Sequence, residues 1–197
     1  VQKKIFFGSD THFGHSNIIR LCNRPFSNIY EHDETLISNH NNKVSDNDDY
    51  YFLGDFAYRC SRFKVEEILR RLNGRIHIIL GNHDKSMLDA VESGLLDDLL
   101  DNGKLEIYGL KSILEDRTLS ISKTLYIDDQ TIFMSHYQCS SYPHAFRKAI
   151  HLFGHQHYEV KSPYRKLNVS VDATGFAPIS YEEISQRLAN SKSFQED

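Results

Sequence analysis

Five times along this chain an apolar, strand-like run passes directly into a side chain that can bind a metal ion. Ile5-Phe6-Phe7-Gly8-Ser9 leads to Asp10-Thr11-His12, and Tyr50-Tyr51-Phe52-Leu53-Gly54 leads to Asp55. Ile76-His77-Ile78-Ile79-Leu80-Gly81 leads to Asn82-His83-Asp84, Thr131-Ile132-Phe133-Met134-Ser135 to His136, and His151-Leu152-Phe153-Gly154 to His155-Gln156-His157. In α/β sheets, sites form just beyond the C-terminal ends of strands. Five such ends bring Asp10, His12, Asp55, Asn82, His136, His155 and His157 to one pocket. Glycine stands before four of the five ends, where a tight turn or a close backbone approach is needed.

Between these runs the periodicity becomes helical. Residues 31–43 and 63–72 have helical spacing, and in the second Phe63, Ile68, Leu69 and Leu72 share a face, with Asn73-Gly74 as a stop. Residues 87–100 and 181–189 are further helices, residues 167–171 a further strand, and residues 105–132 read as short strand-like pieces of a hairpin or meander. A βαβα first half followed by a β-rich second half predicts a mixed, layered α/β domain. The length of 197 residues predicts one domain, 1–197. The net charge of −4 gives no general pull toward nucleic acid or an anionic membrane. No apolar stretch approaches the roughly 20 residues of a spanning helix. Cys22, Cys60 and Cys139 have no C-x-x-C spacing and read as reduced thiols. The expected address is cytoplasmic.

The donor types narrow the chemistry. Carboxylate and amide oxygens mixed with imidazole nitrogens suit Mn²⁺, Fe²⁺ or Zn²⁺, whereas an all-oxygen set points to Mg²⁺ or Ca²⁺ and thiolates to structural zinc. Seven donors exceed one tetrahedral site, and two sites sharing a bridging carboxylate use them all. Two metals about 3.5–4 Å apart activate water and clamp a phosphoryl oxygen for in-line displacement. The residues therefore predict a two-metal hydrolase of phosphate esters. Taken singly they are ordinary: Asp10-x-His12 reads as a turn or helix cap, and a lone His136 as a buried histidine.

The ordered set Asp-x-His, Gly-Asp, Gly-Asn-His-Asp, a lone His after a strand, and Gly-His-x-His resembles the calcineurin-like metallophosphoesterase superfamily. The opening Ser9-Asp10-Thr11-His12-Phe13-Gly14-His15 resembles its compact single-domain bacterial and phage branch, as does the close, Asn168-Val169-Ser170-Val171-Asp172 with Pro178-Ile179-Ser180. The resemblance implies a four-layer sandwich, two mixed β-sheets flanked by helices, with the metal site at one edge. It implies two divalent ions per chain, manganese first, with iron, zinc or nickel as alternatives. Asp10, His12 and His157 would hold the first, Asn82, His136 and His155 the second, and Asp55 would bridge them. His83 matches the family's non-ligand histidine, which protonates the leaving oxygen or steadies phosphoryl charge. Asp84 would orient His83. The implied nucleophile is a hydroxide held by the metals.

Phosphate contacts are expected from Arg59, Arg20, Arg24 and His15, because a planar guanidinium suits bidentate phosphate binding. Arg59 resembles the arginine of a Gly-Asp-x-x-Asp-Arg motif, with Tyr58 where that motif has Asp. Loops 137–144 and 158–165, carrying Tyr142, Lys161 and Arg165, adjoin the site. His32, His40, His77, His144 and His151 read as surface, loop or core. The expected substrate is a small or nucleotide-like phosphodiester or phosphomonoester, with nucleic acid a partner only as substrate. The alternatives are a nuclease acting on oligonucleotide ends and a non-catalytic metal-binding scaffold.

Overall fold

The computed structural model describes residues 2–116 and 122–193. Expectations that reach residue 1, residues 117–121 or residues 194–197 lie outside the described residues. The elements run β1 (Ile5–Gly8), α1 (Ser16–Leu21), α2 (Ile29–Lys43), β2 (Asp49–Phe52), α3 (Arg62–Arg71) and β3 (Arg75–Ile78). There follow α4 (Lys85–Glu92), α5 (Asp97–Asp101), β4 (Leu105–Ile107), α6 (Leu110–Asp116), β5 (Ser122–Ile127) and β6 (Gln130–Ser135). The chain continues with a 3-10 turn (Ala145–Arg147), β7 (Ile150–Phe153), β8 (Lys166–Asn168), α7 (Val171–Thr174), β9 (Ile179–Ser180) and α8 (Tyr181–Arg187).

Two mixed sheets result. The first has the order β4-β3-β2-β1-β9, with β1 to β4 parallel and β9 antiparallel to β1. The second has the order β5-β6-β7-β8, with β5 antiparallel to β6 and the rest parallel. Side chains alternate between the faces of a strand, so neighbouring residues enter different cores. Phe6, Tyr50, Phe52, Ile76 and Ile78 pack on Leu36, Val65, Ile68 and Met87 of the helical layer. Phe7, Tyr51, Leu53 and Ile79 pack on Ile132, Met134, Ile150 and Leu152 of the second sheet. The outer face of that sheet is covered by Tyr142, Ala145 and Ala149 around Phe133, from the loop that carries the 3-10 turn. No helix among the described residues is long and apolar enough to cross a membrane.

The differences from the sequence reading have local causes. The expected helix over 87–100 is two helices, because the chain turns at Gly94 in the left-handed region, φ +77°. Phe63, expected on the buried face of α3, is 59% exposed, and Val65 takes the inward position. Residues 105–132 contain α6 as well as strands. The run expected as a strand over 167–171 stops at Asn168, whose side chain accepts the Ser170 backbone N–H and bends the chain into α7.

Candidate metal centre

Parallel pairing aligns the strand ends. Gly8 of β1 pairs with Phe52 of β2, and Phe52 with Ile78 of β3, so the residues that follow emerge side by side. In the second sheet Met134 pairs with Leu152, and Phe153 with Asn168. A bridge between Ser9 and Ser170 joins the two sheets at this edge. The Asp10 N–H donates to Gly54 O (2.9 Å), and the His12 N–H to Asp55 O (3.0 Å).

Two donor groups stand at the shared edge. Asp10, His12 and His157 offer atoms within 4.8 Å of one another, and so do Asp55, His136 and His155. Asn82 joins the second group, its Oδ1 3.0 Å from His136 Nε2. Asp55 stands between them: its Oδ2 is 3.5 Å from His12 Nε2 and 3.5 Å from His136 Nε2. All seven residues singled out as ligands thus meet at one place. Asp10, His12, Asp55 and His155 have φ values of 59°, 51°, 59° and 66°. Non-glycine residues hold such angles only where the surroundings impose them, and they cluster at functional sites. Gly54 cannot be replaced cheaply here: a Cβ would lie 2.6 Å from both Gly81 N and His136 Nδ1.

The polar groups fit a bound cation. Both ring nitrogens of His12 are buried with no hydrogen-bond partner, an arrangement that carries the full desolvation cost unless an ion takes a lone pair. Burial pushes the His12 imidazole down to about 3, so it is neutral, the form that binds metal. Burial pushes the Asp10 carboxyl up to about 6, against the pull of His136; a cation nearby reverses that cost. Burial also opposes ionisation of Asp55, but its hydrogen bond and charge interaction with His136 carry it below the usual carboxylate range. His136 donates Nδ1–H to Leu53 O at 2.8 Å, which leaves Nε2 facing Asp55 and Asn82.

The calcineurin-like phosphoesterase model matches residues 3–159 of the sequence. The chain belongs to the calcineurin-like phosphoesterase family. Among similar proteins, the uncharacterized protein MJ1445 of Methanocaldococcus jannaschii is 38% identical over 193 residues, 97% of this chain and 94% of that protein. The crystal structure of the protein of unknown function AQ665 from Aquifex aeolicus is similar in fold, with a TM-score of 0.68 at 24% identity. The alignment covers 94% of this chain and all of that one.

Around this calcineurin-like centre, several expected roles change. Arg24 is not free to meet phosphate: it is 4% exposed and its donors are taken. Nε and Nη2 bind the two oxygens of Asp172 (2.9 and 2.7 Å), Nη2 also binds Asp10 O (2.7 Å), and Nη1 binds Thr11 O (2.9 Å) and His32 Nε2 (2.7 Å). Asp84 is held differently from the expected orientation of His83. Its buried carboxylate accepts the backbone N–H groups of Asp55, Phe56 and Gly81 at 2.7–2.8 Å, so it fixes the loop that carries Asp55. The His83 imidazole instead lies against Tyr58 and His12, ring centroids 4.5 and 5.6 Å away. Tyr142 and Arg165 are structural: Tyr142 is buried on Phe133 and His151, and Arg165 binds Lys148 O and Gln130.

Other expectations keep their residues at the rim. Arg59 is exposed, its guanidinium 5.1 Å from the Tyr58 ring centre, and Tyr58 lies 4.6 Å from the His15 ring. Arg20 is exposed in the last turn of α1. Two residues have contacts that the sequence reading did not assign, although the loop that begins at Tyr137 was expected beside the site and Asp172 was part of the closing motif. Tyr137 donates its hydroxyl to Asn82 Oδ1 (3.1 Å) and lies edge-on to His155; its only sequence signal is that it follows His136. Asp172 accepts Nδ1–H of His157 at 2.7 Å, and nothing local to residue 172 announces that partner.

Proposed function

We propose that the protein is a dinuclear metal-dependent phosphoesterase that hydrolyses phosphodiester or phosphomonoester bonds of small or nucleotide-like substrates, residues 1–197 acting as one domain. The observation that carries this reading is the place of Asp55, with one carboxylate oxygen at equal distance from a donor nitrogen of each group. Asp10, His12 and His157 would hold one ion and Asn82, His136 and His155 the other, with Asp55 shared. The mixed oxygen and nitrogen set suits manganese, iron or zinc, and manganese is put first because the family resemblance implies it. When bound, two divalent ions supply Lewis acidity toward the phosphoryl group and lower the pKa of water. His83, half-buried beside His12, would give a proton to the leaving oxygen. Arg59, at the rim on Tyr58, and Arg20 and His15 are the groups offered to the rest of the substrate phosphate.

The test is hydrolysis of chromogenic mono- and diesters by metal-stripped protein reloaded with Mn²⁺, Zn²⁺ or Mg²⁺. Turnover is expected with Mn²⁺ and absent without metal. His83→Ala should lower kcat by about 10²–10⁴-fold, the usual range for a lost general acid, with two ions still bound. Two bound ions and no turnover on esters, nucleotides and cyclic nucleotides would overturn the reading.

A further inference from the structure

A chain of buried polar groups leads from α2 to the first donor group. Asp33 Oδ1 accepts Nδ1–H of His32 (2.8 Å), and His32 Nε2 accepts from Arg24 Nη1 (2.7 Å). Arg24 grips both oxygens of Asp172, and Asp172 Oδ2 accepts Nδ1–H of His157 (2.7 Å). The side chains of Arg24, Asp172, His32 and Asp33 are 0%, 6%, 0% and 5% exposed, so none of this is a solvated surface pair.

We propose that Asp172 and Arg24 are positioning residues for the first metal position. Asp172 sets which nitrogen of His157 keeps a lone pair, and Arg24 fixes Asp172 together with the Asp10–His12 turn. The proposal rests on the two-metal reading above. A histidine that donates Nδ1–H to a carboxylate keeps Nε2 as its donor atom and gains basicity. The guanidinium holds the backbone that carries Asp10 and His12 and the carboxylate that orients His157. It binds the carbonyl of Asp10 and that of Thr11, which directly precedes His12, and it reaches His157 through Asp172. The turn it holds needs holding, since Asp10 and His12 both sit at positive φ.

The second group is oriented otherwise. His136 donates to a backbone carbonyl, Leu53 O, and Asn82 accepts from Tyr137. Asp172 therefore acts on one of two ions, and Arg24 touches the second group only through Asp10, whose carboxylate accepts the His155 backbone N–H at 3.0 Å. A further cluster, Cys22, His157 and Asp172, has its potential donor atoms within 4.8 Å. Arg24 Nη2 stands 3.5 Å from His157 Nδ1 there, so the positive charge of that cluster is the guanidinium itself.

Calorimetric titration with Mn²⁺, which avoids thiolates, tests this on metal-stripped full-length protein, wild type and Asp172→Ala, Asp172→Asn and Arg24→Lys. Asp172→Ala should weaken one of two binding events about 10–100-fold and leave the other within about threefold, the range for lost partners of a metal-binding histidine. Asp172→Asn and Arg24→Lys should weaken the same event by less. Long-range nitrogen–proton NMR of stripped wild type at pH 8.5 should find His157 carrying its proton on Nδ1. A proton on Nε2, equal weakening of both events, or unchanged affinity in a folded variant overturns the proposal. If Asp172→Ala does not fold, Asp172→Asn and the wild-type tautomer decide it. Failure of the two-metal reading shows in the wild type, which would then not bind two Mn²⁺. Failure of the positioning role alone shows as two wild-type events that the variants leave equal.

Discussion

His12 is 3% exposed and both of its ring nitrogens lack a protein partner, so the folded chain without metal carries a cost that an ion removes. Saturation at about 100 times the dissociation constant adds about 2.7 kcal/mol per site. For a protein of this size that raises Tm by about 5–10 °C. Thermal melting with and without Mn²⁺ checks this, and His12→Ala should lose at least half of the rise; an unchanged melting temperature in wild type would contradict it. A second histidine gives a pH prediction. His40 is buried under Tyr50, donates Nε2–H to Asn73 O at 3.0 Å, and is pushed by burial down to about 4. Its folded value lies below its ordinary 6.5, so the fold favours the neutral ring. That contribution is complete above pH 6.5 and is lost as pH falls from 6.5 toward 4, up to on the order of 3 kcal/mol. Urea unfolding of stripped protein should lose stability over this window, and His40→Gln should flatten the loss. At this scale the sequence declares a residue's donor capacity and not who uses it. The seven candidate donors were legible because each follows an apolar run closely and is of a residue type that can hold a metal. Arg24 and Asp84 were misread because their partners, Asp172 and the amides of Asp55, Phe56 and Gly81, come together only when β1, β2, β3 and α7 are packed.

Strands of the first sheet were legible as short continuous apolar runs, because both of their faces are buried, one in each core. β1 begins at Ile5, as its apolar run does, and β2 and β3 begin one residue earlier than theirs, at Asp49 and Arg75. Those starts are set by cross-strand pairing, Ile5 with Asp49 and Asp49 with Arg75, which the apolar pattern does not contain. Helix ends depend on backbone angles in the same way. The run over 87–100 has helical spacing on both sides of Gly94, yet Gly94 at φ +77° separates α4 from α5. Gly94→Ala should cost about 1 kcal/mol, because an L-residue is strained at that angle. Its Cβ would also stand 3.3 Å from Asp97 Oδ2, a side-chain end that can move aside. Urea unfolding measures the cost, and Mn²⁺ affinity should stay at the wild-type value, since neither α4 nor α5 contributes a donor. A gain in stability would mean that the run prefers one continuous helix.

The molecule as a whole places its donors on two sheets. Asp10, His12, Asp55 and Asn82 follow strands of the first sheet, and His136, His155 and His157 follow strands of the second. That five strand ends converge was legible from the repeated run-then-ligand pattern. Two sheets were expected from the resemblance, but which donors belong to which sheet was not legible, because that depends on which strands pair, and β5 to β8 leave the first sheet while β9 returns to it. Each donor group draws from both sheets: Asp10 and His12 with His157, and Asp55 with His136 and His155. Metal binding should therefore tie the sheets together at this edge, over and above the apolar packing of Phe7, Leu53 and Ile79 on Met134, Ile150 and Leu152. Native-state hydrogen exchange reads that coupling as the free energy of local opening. Addition of Mn²⁺ should slow exchange jointly at 10–13, 54–56, 134–136 and 153–155, which span both sheets. At 100 times the dissociation constant the slowing should reach about 100-fold for openings that release the ion. The far end of β5, Tyr126–Ile127, which pairs with Thr131 and Gln130 at the opposite end of β6 from His136, should exchange at its former rate. Slowing confined to one sheet would mean that the ions are held from one side only, and that the shared edge between Ser9 and Ser170 forms without them.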